Sequence, residues 1–338
     1  MFSLHLLKTE WMAYPELIID IYIGKASLSS ILARGGDICV GIFAFISGYG
    51  WATTYSNRSL SSRVFGIGGY HSYWIVLFIF AFPIRFLMEY ILCGELIHIT
   101  FRDFVLSILA IRSPSIRFGW YIFFFALIAL SFGYLIRLID YIPVNGWISI
   151  VVVCVISFML RIVSQIAFTR IFAFENLHEI FSHYFQWMPV VMTGYIVKRD
   201  LLYDKLYHRL SLAHNRVFNI MCILLCSVLY IGKCFFQHYS KVYSNFDSFY
   251  ISIFMFELIG IARWIHDKQH FLSKLLSYLG GISLYLWLSH RVLLYPPIQW
   301  VILHCRIPVF IIFLCFVIMV PIALLLKKID LKFLATSK

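Results

Sequence analysis

Apolar runs of roughly twenty residues recur along the chain, near 38–55, 71–92, 119–138, 147–169, 181–197, 216–236, 247–264, 278–296 and 308–326. Short polar breaks separate them. At about 1.5 Å of rise per residue, a helical run of this length matches a hydrocarbon core about 30 Å thick. The pattern therefore predicts an all-α fold, a polytopic transmembrane helix bundle of nine spans. The runs are too long and continuous for barrel strands, which alternate over about ten residues. Residues 104–111 are apolar but too short to cross, and predict a re-entrant or interfacial element. Before Asp37 there is only the stub "MFSLHLL" and the run "LIIDIYI", neither of which spans alone. No soluble domain and no internal repeat are evident. The chain reads as a single integral membrane domain: 1–37 a stub and extracytoplasmic loop, 38–326 the bundle, 327–338 a basic tail.

Composition agrees with that pattern. The chain is 62% hydrophobic and 13% charged, with mean hydropathy +0.86. Soluble domains carry about 25% charged residues. The net charge of +12 raises nucleic acid as a partner, but Lys and Arg sit mostly between apolar runs. That is where topology-setting charges lie, and it excludes a soluble basic face. Three basic stretches fall on one side of the predicted bundle: 198–216, 263–277 and the C-terminal "KKIDLKFLATSK". The positive-inside rule assigns that side to the cytoplasm and puts the N-terminus outside. The N-terminal apolar stretch is too short for a cleavable signal peptide. The expected location is the inner, or cytoplasmic, membrane.

Most of the eight cysteines lie inside apolar runs, among them Cys39, Cys154, Cys222, Cys226 and Cys315, and no CxxC pair occurs. Cys222 and Cys226 share a helix face, which suits buried thiols better than a disulfide or zinc site. His266 and His270 in "HDKQH" have metal-ligand spacing on a helix but no clear third ligand, and read as solvated loop histidines. No metal is expected.

Polar groups at membrane depth cost a few kcal/mol each, so they point inward and often mark function. Arg161 sits mid-run in "VVVCVISFMLRIVSQIAF", with Gln165 one turn later. Glu257 sits in "YISIFMFELIGIARW", and His290 near the outer end of "GGISLYLWLSHRVLL". Nothing local neutralises these three, which points to an inward polar cavity. Arg85 and Glu89, spaced i,i+4, instead suit an ion pair that fixes packing. In "DICVGIFAFISGYGW" the small residues Gly41, Ser47 and Gly48 fall on roughly one face, which favours close helix contact. Trp120 and Tyr121 open a span, where aromatic belts are ordinary.

Four segments together, in their order and spacing, resemble the acyltransferase family 3 membrane proteins, which include O-acetyltransferases of bacterial surface polysaccharides. They are "CVGIFAFISGYG" (39–50), "FGWYIFFFALIAL" (118–130), "WMPVVMTGYIVKRDLL" (187–202) and "LSYLGGISLYLWLSHRVLL" (276–294). The family is a ten-helix bundle whose first helix carries a histidine. Here "SLHLLKTEWMAYPELI" resembles the end of that helix, with His5 at the histidine position, so the resemblance implies that most of it is missing, from a late start codon or a real truncation. The family's Arg-x-x-Arg motif is matched only by Arg58 and Arg63, at a different spacing.

The resemblance implies acyl transfer, by default acetyl from acetyl-CoA, to a hydroxyl of a surface polysaccharide or its lipid-linked precursor. His5 is then the general base, with His290 or Glu257 assisting. Arg161 polarises the carbonyl or holds an acidic group, and Arg58 and Arg63 contact the donor's phosphates. Asp37 at the outer mouth, Ser47 in the cavity wall, and Trp120 with Tyr121 are the substrate-side residues. The expected partners are an acyl-CoA donor, a glycan or lipid-linked glycan acceptor and the bilayer, with no nucleic acid. Three alternatives stand beside this reading: a transporter or flippase of lipid-linked sugars, an oligosaccharide polymerase, or an inactive truncated acyltransferase.

Overall fold

A computed structural model describes residues 38–54, 70–93, 100–111, 120–141, 145–167, 175–209, 216–239, 246–290 and 307–336. It also describes residues 22–23, 26–27, 293, 298, 302 and 304–305. The described residues are helical throughout, apart from a two-residue antiparallel ladder of β1 (Tyr22–Ile23) and β2 (Ala26–Ser27), with Tyr22 opposite Ser27. The chain divides into two compact units. One comprises 1–36, 64–123 and 276–338, the other 37–63 and 124–275.

The second unit contains α1 (Ile38–Thr54), most of α5 (Trp120–Tyr141), α6 (Gly146–Ile166), α7 (Glu175–Arg199), α8 (Leu202–Arg209), α9 (Arg216–Tyr239) and α10 (Asp247–Lys268). Its centre is the crossing of α1 on α7, and α6 and α10 pack on the same helix α7. Two glycines permit the crossing. A Cβ at Gly48 would overlap the Val191 carbonyl, and one at Gly194 would overlap the Phe45 carbonyl. Backbone therefore meets backbone, as small residues allow between membrane helices. Gly41 faces Ile251 of α10 and Trp187 of α7.

Helix α6 shows why this bundle belongs in a bilayer. Its buried residues are Gly146, Ser149, Ile150, Cys154, Ser157, Arg161 and Ser164. Its exposed face carries Ile148, Val151, Val155, Ile156, Met159 and Val163. Polar inside and apolar outside inverts the order expected in water, and suits contact with lipid.

The first unit contains α2 (Tyr70–Ile75), α3 (Phe82–Cys93), α4 (Phe101–Ile108), the start of α5, α11 (His270–Ser289) from Leu276 onward, and α12 (Pro308–Thr336). A π-helical turn, Val76–Ala81, joins α2 to α3. Pro83 explains its position, because the proline ring crowds the carbonyl four residues back and a widened turn relieves the clash. Thr100 caps α4 by accepting from the Asp103 amide at 3.1 Å. The other end closes with Ala110 in the left-handed region at φ 60°. The Ala110 amide donates to Ser107 O and the Ile111 amide to Leu106 O, the two bonds of a Schellman motif. Side chains of α2 meet the last carbonyls: Tyr70 on Leu109, Tyr73 on Ser107 and Trp74 on Ile108, at 2.9, 2.5 and 2.9 Å. The short apolar segment is thus a helix tied down at its C-terminus. Phe82, Phe86, Phe101 and Phe104 line a groove of about 380 Å³ beside it.

Among the described residues, five helices are long and apolar enough to cross a membrane: α5, α6, α10, α11 and α12. Shorter apolar helices lie in α1, in α2 with its π-turn, and in α9. By length and composition the chain is a helical multi-pass membrane protein. Each of the predicted apolar windows falls on a helix, with three differences. The stretch 198–216, expected to be a loop, contains α8. Its Tyr203 donates to Ser252 O at 2.7 Å and its Tyr207 to Phe256 O, so both rings are buried. Burial pushes both phenols above their ordinary range. The stretch 263–277 is helix on both sides of Gln269. His266 and His270 therefore sit on different helices rather than on one face of one helix. Finally, α12 runs on through Thr336, past the expected membrane exit, because Asp330 is buried there instead of solvated.

Candidate functional site

In the second unit, Arg161 projects from the polar face of α6 and is 7% exposed. Its Nε donates to Ser182 Oγ at 3.3 Å, and Asp247 supplies the opposing charge. No residue near Arg161 in the sequence neutralises it, and its counter-charge comes from α10, 86 positions along the chain. Asp247 also accepts from Lys233 Nζ at 2.7 Å and from Gln186 Nε2 at 2.9 Å. The network joins α6, α7, α9 and α10 through charge-assisted bonds, which are about twice as strong as neutral ones.

Glu257 lies two to three turns further along α10 and is 6% exposed, with Oε2 buried and without a hydrogen-bond partner among the described residues. Tyr203, Tyr207, Cys222 and Cys226 stand near enough to feel its charge. Ser47 is half-buried on α1, and its hydroxyl donates to Phe43 O at 2.7 Å within its own helix.

In the first unit, His290 follows the last turn of α11 and is 2% exposed. Its Nδ1 meets the Trp287 carbonyl, which can only accept, so the proton sits on Nδ1. The Trp287 ring packs edge-on against Tyr121 at 5.0 Å between centroids. The structure thus brings Tyr121 and His290 into one neighbourhood through Trp287. Arg161, Glu257 and Ser47 belong to the second unit. Trp120 begins α5. His5, Asp37, Arg58 and Arg63 lie outside the described residues, as do the side chains of Arg85 and Glu89.

The pattern reading missed one cluster in the first unit. Asp330 of α12 is 1% exposed and accepts from three side chains. His71 Nδ1 reaches Oδ1 at 2.6 Å, Ser72 Oγ reaches Oδ2 at 2.5 Å, and Tyr285 OH also bonds Oδ2. Lys327 lies one turn before Asp330 on α12, with Nζ 3.2 Å from where a Cβ on Gly281 would stand. One signal was available: Asp330 is the sole acidic residue of α12. Its basic neighbours disguised it as part of a solvated tail.

Compared with protein-family models, with curated proteins and with solved structures, the chain matches none.

Proposed function

We propose that the chain is a membrane O-acyltransferase that moves an acyl group, by default acetyl from acetyl-CoA, to a hydroxyl of a cell-surface polysaccharide or its lipid-linked precursor. The observation that carries this reading is the inverted polarity of the bundle. His290 lies in a segment that resembles acyltransferase family 3, and Arg161 and Glu257 lie on helices between such segments. Arg161, Glu257 and His290 are all buried, and the outer face of α6, which carries Arg161, is aliphatic. Such residues at membrane depth belong to pathways or reaction sites. Acyl transfer needs an acid–base group, positive charge for the oxyanion and a dry setting. A buried histidine and a buried guanidinium are the residue types for the first two.

In this reading the chain crosses the inner membrane nine times, with the basic C-terminal tail and the basic loops in the cytoplasm. His5 is the base that the resemblance offers, Arg161 the positive group, and Arg58 and Arg63 the donor-phosphate contacts. Mass spectrometry of the surface glycan, from cells with and without the gene, tests it. The expected result is an acetyl mass difference that depends on the gene. Identical glycan masses, with lipid-linked sugar accumulating on one leaflet, would favour a flippase instead.

A further inference from the structure

We propose that His71, oriented by Asp330, is the general base of the acyl transfer, acting on a hydroxyl presented at the cytoplasmic end of the first unit. The inference rests on the acyltransferase reading and deepens it, with His71 as base in place of His5 and with donor and acceptor on the same side. Three observations carry it.

The first is geometry. Asp330 is buried, and its two oxygens take three donors. A carboxylate accepts, so the imidazole donates from Nδ1 and Nε2 is left as the proton acceptor. Ser72 and Tyr285 hold the second oxygen and stop the carboxylate from rotating. A base oriented by a third group in this way is the general arrangement for activating a hydroxyl. The second is access. The His71 side chain is 37% exposed, whereas its partner carboxylate is sealed. His290, by contrast, is buried and turned to a backbone carbonyl. The third is setting. Lys327 places an ammonium beside Gly281, which is exposed, as is Gly280 before it, so the missing side chains leave the backbone open. An anionic thioester donor fits there, its phosphates drawn by Lys327. By the positive-inside assignment, the start of α2 and the end of α12 both face the cytoplasm, where acyl-CoA is made.

The step balances without further reagents. His71 Nε2 takes the proton of the acceptor hydroxyl as its oxygen attacks the thioester carbonyl carbon. The C–O bond forms, the C–S bond breaks, and its electron pair leaves on sulfur. The imidazolium then returns the proton to the thiolate, giving free CoA thiol and the ester. His71 ends as it began. No acyl group has to cross the bilayer in this scheme.

Inside-out membrane vesicles from cells producing the full chain expose the cytoplasmic face. The probe is radiolabelled acetyl-CoA added outside these vesicles, read as label in the lipid-linked glycan fraction. The expected result is incorporation by wild type and a loss of about 100-fold or more for His71→Gln. Asp330→Asn is the positioning test. It should lower kcat at least about tenfold, with KM for acetyl-CoA unchanged, an effect that a loss of folded protein does not mimic. His266→Gln, exposed and far along the chain, should behave as wild type.

If His71→Gln does not reach the membrane, diethyl pyrocarbonate on wild type replaces it. Modification of His71, located by mass spectrometry, should abolish incorporation, and hydroxylamine should restore it. Wild-type incorporation that survives in His71→Gln, or after full modification of His71, overturns the base assignment alone. Absence of incorporation by wild type overturns the acyltransferase reading beneath it.

Discussion

Asp330 in the first unit and Asp247 in the second are both almost wholly buried, and both carboxylates are met by several donors. Their partners differ. Asp247 is bonded by Lys233 and Gln186, themselves buried, so neither of its donors is open to solvent. Asp330 is bonded by an imidazole whose ring is partly exposed. A sealed pair of opposite charges fixes helices in place. A sealed carboxylate behind an accessible histidine can instead set the proton position of a group that meets substrate. Full satisfaction of a buried acid is therefore no guide to its role; the exposure of its partner is.

The largest effect should come from breaking the sealed pair. Asp247→Ala leaves the Lys233 ammonium buried without its carboxylate, and should cost about 3–5 kcal/mol. Thermal unfolding in detergent, followed by fluorescence-detected gel filtration, measures this. The paired change Asp247→Leu with Lys233→Met should recover only the Lys233 share of the loss, because buried Arg161 is still left without its counter-charge. Failure to recover that share would mean that Asp247 does more than pair.

Glycines make the same point on a smaller scale. Gly48 is closed, since a Cβ there meets the Val191 backbone, which cannot yield as a side chain can. Gly48→Ala should cost about 3 kcal/mol, the upper end for overpacking. Gly280 in the first unit has nothing within 4 Å of its would-be Cβ. Gly280→Ala should stabilise the helix by up to about 1 kcal/mol. Equal responses at the two positions would show that the α1–α7 crossing is looser than its geometry indicates.

These contrasts separate what the sequence could show from what it could not. Helix positions were legible because apolar runs are local, and Gly41 and Gly48 marked one face of α1 for close helix contact, though not α7 as the helix that Gly48 meets. The His71–Asp330 bond was not legible. Its partners lie 259 positions apart, and only packing turns a carboxylate in a basic stretch inward. Helix α8 was hidden for a similar reason. Its charges read as solvated, yet Arg263 pairs with Asp204 and stacks over Tyr207 at 4.6 Å. The π-turn needed attention to Pro83, whose effect falls one turn upstream. For Asp330 itself, Asp330→Asn should cost only about 1–2 kcal/mol of stability, since the amide oxygen still accepts from Ser72 and Tyr285. The deficit in rate should be far larger than the deficit in stability, which separates the two roles.

The smallest effects compare one backbone conformation in both units. Ala110 and Leu201 each adopt a positive φ, 60° and 53°. For an L-residue this costs about 1–2 kcal/mol, a penalty that glycine escapes. Glycine also loses about 0.4–1 kcal/mol through the freer unfolded chain. Leu201 is 44% exposed in the turn between α7 and α8, so Leu201→Gly gives up only part of a covered side chain and should gain up to about 0.5 kcal/mol. Ala110 is fully buried where α4 ends against Tyr70 and Trp74. Removing its methyl forfeits about 0.8 kcal/mol of burial, so Ala110→Gly should be close to neutral. Midpoints of thermal unfolding for the two variants decide the matter. A stabilised Ala110→Gly beside a neutral Leu201→Gly would reverse the argument, and would mean that strain in the α4 terminus outweighs the packing that closes it.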